Sequence, residues 1–327
     1  MNWRDRTVLV TGGTGSFGRK LVDLVLSELS PKKLIVFSRD ELKQHEMRQQ
    51  FPDTGDSPMR YFLGDVRDRE RLYRAFYGVD IVVHAAALKQ VPACEYNPFE
   101  AILTNVMGAK NVIDAAIDCG VERVMAISTD KAVNPVNLYG ATKLCAEKLF
   151  IDGNQYVGDR VTRFSCARYG NVLASRGSVI PIFLAQRRTG RVTVTDPAMT
   201  RFWITLEQGV RFVLRAIEAM HGGEIFVPKI PSMSLADMSR ALAPGCQMEV
   251  VGIRSGEKMH EVLISEDEAR SALELDDKFV ILPLNREEAV KRWPEGRPLP
   301  SGFRYASDSN RETLTADSLM KLVESAI

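Results

Sequence analysis

The sequence is short of the features that mark secreted, metal-binding or nucleic-acid-binding chains. It has five cysteines, Cys94, Cys119, Cys145, Cys166 and Cys246, an odd number with no paired metal-ligand spacing. Reduced thiols and no metal site are expected. Lysines and arginines number 43 against 42 acids, a net charge of +1, so nothing in the charge draws the chain to nucleic acid or a charged membrane surface. No apolar run approaches the roughly 18 residues of a membrane span. The opening residues, Met1-Asn-Trp-Arg-Asp-Arg6, lead straight towards a strand without an apolar signal-like region. Internal repeats and low-complexity tracts are missing too. What remains is the expectation of a cytoplasmic enzyme.

What is present is an ordinary globular composition over 327 residues, 45% hydrophobic and 26% charged, enough for one large domain or one and a half. Thr7–Val10 is a short apolar run, followed by Thr11-Gly-Gly-Thr-Gly-Ser-Phe-Gly18 and a helical pattern to about Leu29. Gly12, Gly15 and Gly18 lie three apart in a strand–turn–helix context, with Thr14, Ser16 and Phe17 between them. That context suits a dinucleotide pyrophosphate lying on a helix N-terminus. A second strand, Leu34–Phe37, ends in Ser38, Arg39 and Asp40, then Leu42 and Lys43. A hydroxyl and a guanidinium placed there suit the 2′-phosphate of NADP, while Asp40 could still serve NAD. After the third strand, Met59–Leu63, Asp65 and Val66 sit where an adenine amino group is met, unless Asp65 caps the helix starting near Asp68. The fourth strand, Asp80–His84, runs into Ala85 and Ala86, small residues that leave room for a ligand at the sheet's carboxyl edge. His84 reads as a packing histidine, and Lys89 as a side chain able to reach a phosphate or a sugar. Thr104 and Asn105 fall inside one long helical pattern, Pro98 to Cys119, and could face the cofactor or solvent.

The fifth strand, Arg123–Ile127, delivers the densest chemistry: Thr129, Asp130 and Lys131, then Tyr139 and Lys143 four apart on one helical face. A tyrosine titrating near ~10 can act as a base at neutral pH only if its anion is stabilised, a role for Lys143 and a nicotinamide ring. Lys131 as a base likewise requires depression below ~10.4, and Asp130 as an acid requires a raised carboxyl. A sixth strand, Val161 to Ala167, precedes Arg168-Tyr-Gly-Asn171. Beyond lie helical segments at Glu207–Met220 and Leu235–Leu242 and short strands at Glu224–Val227 and Met248–Ile253. The expected fold is α/β, a Rossmann-type doubly wound parallel sheet with a smaller mixed α/β substrate-binding lobe. Residues 1–170 form the NADP-binding part, with later returns of the chain allowed, and 171–327 the lobe and a tail. The stretch after about Glu266 is charged and matches no pattern.

Assembled, these residues resemble the extended short-chain dehydrogenases/reductases that modify nucleotide sugars, from Thr11 to about Ile264. The likeness is strongest to the inverting UDP-N-acetylglucosamine 4,6-dehydratases that begin pseudaminic acid synthesis. The marks are Ser38-Arg-Asp-Glu-Leu-Lys43, Gly64-Asp-Val-Arg-Asp68, Glu95-Tyr-Asn-Pro98, Ser128-Thr-Asp-Lys131, Asn137-Leu-Tyr-Gly-Ala-Thr-Lys143, Met199-Thr-Arg-Phe-Trp203, the run from His221 to Met233, and Gly256-Glu-Lys258. The resemblance implies catalysis by Asp130, Lys131 and Tyr139, with Lys143 and Thr129 in support. It implies NADP that is tightly bound and regenerated in each turnover, held by the residues above together with Tyr139 and Lys143. It further implies a UDP-sugar site drawn from Lys89, Asn171, Val172, the Val179–Phe183 loop, Thr193, Thr195, Arg201, Arg254 and Glu257, and a homo-oligomer, commonly a hexamer. The implied product is UDP-2-acetamido-2,6-dideoxy-L-arabino-hex-4-ulose. The rivals are a nucleotide-sugar 4-epimerase and a 4,6-dehydratase of another surface-polysaccharide pathway. An NADP-binding regulator is disfavoured because Tyr139 and Lys143 are both retained.

Overall fold

Thr7–Thr11 (β1) is buried along its whole length, as a strand covered on both faces by helices must be. A computed structural model describes residues 1–173, 179–283 and 286–326 of the chain. Around β1 lie Lys33–Ser38 (β2), Met59–Leu63 (β3), Ile81–His84 (β4), Arg123–Thr129 (β5) and Arg163–Tyr169 (β6). They are parallel in the order β3-β2-β1-β4-β5-β6. The order reverses direction between β1 and β4, the switch point at which open α/β sheets bind ligands outside their carboxyl ends. The helices are Ser16–Leu24 (α1), Glu41–Gln50 (α2), Arg69–Phe76 (α3), Val91–Tyr96 (α4), Pro98–Ile102 (α5), Gly108–Cys119 (α6) and Leu138–Gly153 (α7). Gly18 is required by packing, since a Cβ there would run into the backbone of Gly13.

The chain returns to this sheet late. Ile225–Pro228 adds in parallel beside β6, and Lys278–Ile281 pairs antiparallel with it. Ala272–Glu274 and Arg297–Pro298 complete a ten-stranded sheet among the described residues. The region after Glu266, unreadable as a pattern, therefore includes sheet strands: Phe279, Val280 and Ile281 are buried in the main core with Phe226 and Trp293. The remaining segments form a smaller lobe. Asn171–Val172, Thr200–Ile204 and Ser232–Ser234 make one small sheet, and Arg191–Val194 pairs with Gln247–Val250.

Two local expectations are corrected. Val179–Phe183, read as a loop, opens the helix Val179–Gln186, because Ile180 and Phe183 insert into the lobe's own core beside Trp203 and Met238. Pro181 is tolerated in that first turn, where its missing N–H costs no hydrogen bond. The single helix read from Pro98 to Cys119 is interrupted by a π-helical turn, Leu103–Met107. That turn carries Thr104 and Asn105 inward, and both are buried.

His84 is the packing histidine expected: it is buried at the end of β4, with its Nδ1 2.8 Å from the Thr11 hydroxyl. Burial, and then the nearby Lys143, push its pKa down to about 3. Unfolded, the ring titrates near ~6.5, so the unfolded chain binds more protons between the two values. The neutral ring's contribution is complete above ~6.5 and is lost as pH falls towards the folded value. In a His84→Gln variant this dependence should vanish. The unfolding free energy of the parent relative to that variant should fall by about 1.4 kcal/mol per pH unit between roughly pH 6 and 4. Denaturant titrations at several pH values would read it, and two parallel curves would refute a buried neutral ring.

Candidate active site

Every strand from β1 to β6 ends where a predicted site residue begins. The first-turn N–H groups of α1 open on the exposed turn at Gly15 and Ser16, and no side chain caps them. They suit a pyrophosphate. Thr14 Oγ1 lies 2.8 Å from Ser38 Oγ, which also accepts from the Asp40 N–H, so both hydroxyls are turned inward. Asp40 caps α2 by accepting from the Lys43 N–H, and Lys43 Nζ pairs with its carboxylate at 2.6 Å. That pairing, above all the Lys43 hydrogen bond, holds the Asp40 carboxyl below its ordinary range. Arg39, 55% exposed, extends at the same edge and reaches Asp65 at 3.5 Å, while Leu42 is exposed beside it.

The capping role left open for Asp65 belongs to Asp68, which accepts from the Arg71 N–H. Asp65 is instead bound by the backbone N–H and guanidinium of Arg67. Val66 is buried, and its carbonyl accepts from Asn111. At the end of β4 the Thr11 hydroxyl and carbonyl take the N–H groups of Ala86 and Ala85. Asn105, expected at the cofactor, uses its amide to bind both backbone groups of Leu88 and the Thr142 hydroxyl. It thereby ties the loop carrying exposed Lys89 to α7. Thr104 Oγ1 is buried with no hydrogen-bond partner among the described residues. An uncapped helix start, an orphaned hydroxyl and an edge rich in Arg and Lys fit a nicotinamide dinucleotide.

The chemistry converges past β5. Asn137 caps α7 by accepting from Gly140 N–H, and its amide donates to Gly256 O at 2.8 Å. Gly140 is needed here, since a Cβ would strike the carbonyl of Lys131. The close approach brings part-buried Tyr139 beside the turn Asp130–Ala132. Thr129 Oγ1 donates to Asp130 Oδ1 at 3.0 Å, and Lys131 Nζ donates to the same oxygen at 3.0 Å. Lys131 Nζ also reaches Asn171 Oδ1 at 3.4 Å and Glu261 Oε1 at 3.4 Å.

Burial pushes the Asp130 carboxyl up, and the opposing pull of Lys131 does not cancel it. That upward push is the direction an acid requires. Lys131 departs from expectation. Burial pulls its ammonium down, but Asp130 and then Glu261 outweigh burial, and its pKa lies above the ordinary value. Burial also pushes Tyr139 up to about 12, with Lys131 and the Thr129 hydroxyl pulling the other way. Lys143 was expected to supply that pull. Its Nζ instead donates to Ile127 O at 2.6 Å, and burial lowers its pKa.

Of the expected sugar-site residues, Asn171 joins this cluster directly and Arg201 joins it through Glu261, at 3.8 Å. Arg201 is buried, and one guanidinium nitrogen donates to the carbonyls of Thr200 and Met259. Val172 pairs with Ile204 beneath the site. Thr193 is engaged by Gln186, and Thr195 donates to Met199 Sδ. Arg254, 74% exposed, lies near Glu257, whose carboxylate accepts the Arg254 N–H. Val179 begins its helix beside residues outside the described set.

Four important residues went unread. Glu147 lies four residues beyond Lys143, on the Tyr139–Lys143 face of α7. Its carboxylate is buried and accepts from Ser128 Oγ and from Arg168. Arg168, fully buried, also binds Glu268 at 2.7 Å and the Leu263 carbonyl at 2.8 Å. Glu261 and Lys258 complete the charge cluster around Lys131. The i+4 spacing pointed to Glu147, but nothing local in the sequence pairs Arg168 with it.

A parallel sheet in this order, a glycine turn after β1 and a Tyr139/Lys143 pair on the helix after β5 define an extended short-chain dehydrogenase/reductase. The chain belongs to the family described as polysaccharide biosynthesis proteins, whose model matches residues 8–283. It is 49% identical over 327 residues to a UDP-N-acetylglucosamine 4,6-dehydratase (inverting) of Campylobacter jejuni subsp. jejuni serotype O:23/36, covering 97% of each chain. It is 44% identical to a UDP-glucose 4-epimerase of Rickettsia conorii, over 98% of this chain and 95% of that one. Among solved structures, Pen from Bacillus thuringiensis superposes with a TM-score of 0.89 at 39% identity, covering 99% of this chain and 100% of that one.

Removing one member of a buried ion cluster leaves uncompensated charge, at a typical cost of about 3–5 kcal/mol. Arg168→Met should lose stability on that scale in urea unfolding. Adding Glu147→Gln should recover part of it, because less stranded charge remains.

Proposed function

We propose that the chain is a hydro-lyase that removes water from UDP-N-acetylglucosamine across C5 and C6 and inverts C5. The product would be UDP-2-acetamido-2,6-dideoxy-L-arabino-hex-4-ulose, the first intermediate towards pseudaminic acid. The observation that carries this reading is the 3.0 Å hydrogen bond from Lys131 Nζ to buried Asp130 beside Tyr139. A 4-epimerase, the name borne by the rickettsial relative, needs only a proton acceptor at O4 and has no use for that pair.

The dinucleotide would be NADP, with Arg39 and Lys43 facing the 2′-phosphate. Asp40, the residue able to favour NAD, is committed to capping α2 and to Lys43. When bound, the nicotinamide supplies the removal of hydride at C4 and its return at C6. Tyr139 exchanges the proton of O4, and the ketone so formed acidifies the C5 proton.

Lys131 becomes a base by passing one proton across its hydrogen bond to Asp130. The 3.0 Å hydrogen bond supplies the path, and burial, by raising the carboxyl, lowers the cost of the transfer. The amine at Lys131 then takes the C5 proton, and C6 hydroxide leaves as water with the proton from Asp130. Both residues finish charged, as the ion pair the structure displays. As hydride enters C6, C5 regains a proton at the expense of the one Tyr139 took from O4, which restores Tyr139; inversion follows if that proton arrives on the opposite face, a feature drawn from the likeness to inverting relatives. A homo-oligomer is supported by the exposed apolar side chains Tyr96, Phe99, Ile102, Leu103 and Met107 along α4, α5 and the π turn.

Incubation with UDP-N-acetylglucosamine should yield a product lighter by one water, and its proton spectrum should show the inverted C5. A product of unchanged mass would replace this reading with epimerisation. Lys131→Ala should lose at least a hundredfold in dehydration, in line with removal of a general base. It should still bind NADP and transfer hydride from C4, so near-parental water loss would disprove the role of Lys131. Arg39→Ala should weaken NADP more than NAD in equilibrium titrations, and equal losses would remove the 2′-phosphate assignment.

A further inference from the structure

Lys131 is gripped from two sides. Asp130 holds Nζ at 3.0 Å from its own strand end, and Glu261 holds it at 3.4 Å from a segment far away in sequence. Both carboxylates are buried, and each has one oxygen, Asp130 Oδ2 and Glu261 Oε2, without a hydrogen-bond partner. The main chain of Glu261 is held on both sides. Its N–H donates to Ser307 Oγ at 2.9 Å, and its carbonyl accepts the Ser307 N–H at 2.9 Å. The strand that follows, Val262–Ile264, pairs with Tyr305–Ala306, and its Leu263 carbonyl is taken by Arg168. Two further cations face Glu261: Lys258 at 3.7 Å, whose Nζ is anchored on Val133 O, and Arg201 at 3.8 Å.

We propose that Glu261 is a positioning residue for Lys131, holding its nitrogen in place and sustaining its basicity while Asp130 changes charge. This rests on the assignment of Lys131 as the C5 base. When the proton crosses to Asp130, the lysine's hydrogen bond to that carboxyl is no longer charge-assisted. Glu261 keeps its charge and keeps the nitrogen fixed. When the C5 proton arrives, the new ammonium already has a counter-ion, whatever state Asp130 is in. Among the described residues the groups facing Lys131 are then assigned: Asp130 exchanges its proton, Glu261 holds, Arg201 and Lys258 balance Glu261, Tyr139 serves O4, and Asn171 accepts a hydrogen bond. His260, the neighbour of Glu261, is directed to the Thr200 hydroxyl at 2.8 Å.

Glu261→Gln tests this, since the amide preserves size and an acceptor oxygen but removes the charge. A nearby anion favours protonation of both Lys131 and Asp130, so losing it lowers both apparent pKa values. Both limbs of the pH profile of kcat for water loss should move to lower pH, by about one unit or more on the alkaline side. KM for the UDP-sugar should stay within about threefold, because Glu261 acts through the lysine and not on the sugar. A Gln profile that is lower in height but unmoved along the pH axis overturns the proposal. If that variant does not fold, Glu261→Asp decides. It keeps the charge but withdraws the carboxylate, so the limbs should stay in place while kcat falls at least tenfold. Full activity or displaced limbs in the Asp variant would overturn the proposal. Absence of water loss in the parent enzyme would instead refute the dehydratase reading, which separates the two failures.

Discussion

The arrangement depends on one guanidinium. Arg168 lies fully buried at the end of β6 and binds Glu147 on α7, the Glu268 carboxylate, and the Leu263 carbonyl. Two carboxylates around one cation would be costly in a dry interior unless every donor found a partner. Here the planar fork of arginine supplies donors in several directions at once, which a lysine could not. The cluster fixes α7, which bears Tyr139 and Lys143, against the strand that follows Glu261. Tyr139 and Lys143 are therefore tied to a segment about a hundred residues further along the chain than Arg168.

The active site itself is a chain of alternating charge: Asp130, Lys131, Glu261, then Lys258 and Arg201. Such a row resists isolated ionisation changes but permits a proton to move between adjacent members with little change in net charge. On the role proposed for Lys131, such a row lets a lysine held above its ordinary pKa still serve as a base. The energy of deprotonating it to water is not the relevant quantity. On that proposal the relevant step is internal, towards a carboxyl whose pKa burial raises.

The sequence made the first half of this legible. The run Thr7–Val10 followed by a glycine turn, and Tyr139 and Lys143 at helical spacing, carry their meaning locally, and six strands were read to within a residue or two. Asp130 and Lys131 were legible because they directly follow a strand end. Glu147 was within reach, being on the same helical face, but its carboxylate reads as an exposed charge until Arg168 is known to face it. Glu261 carries no local sign, and Lys258, though part of the Gly256-Glu-Lys258 mark, gives none of its partner, since the meaning of both lies in Lys131. The segment after Glu266 failed for a related reason: its strands are three or four residues long, flanked by charge, and buried only because Ile225–Pro228 offers them an edge. The π turn at Leu103–Met107 was hidden inside an unbroken helical pattern, because one extra residue per turn leaves composition unaltered.

The late return of the chain to its own sheet bears on the order of events during synthesis. The six parallel strands through Tyr169 are contiguous in sequence and can assemble while the ribosome is still extending the chain. At that stage the outer edge of the sheet is bare, and Arg168 has Glu147 but not Glu268. Only after Lys278–Ile281 emerges is the edge beside Ile225–Pro228 closed, and only after Ser307 emerges is Glu261 pinned in place. A nascent chain thus acquires all six parallel strands well before Lys131 has both of its carboxylate partners. A chain ending before Glu261 would lack the second of those carboxylates.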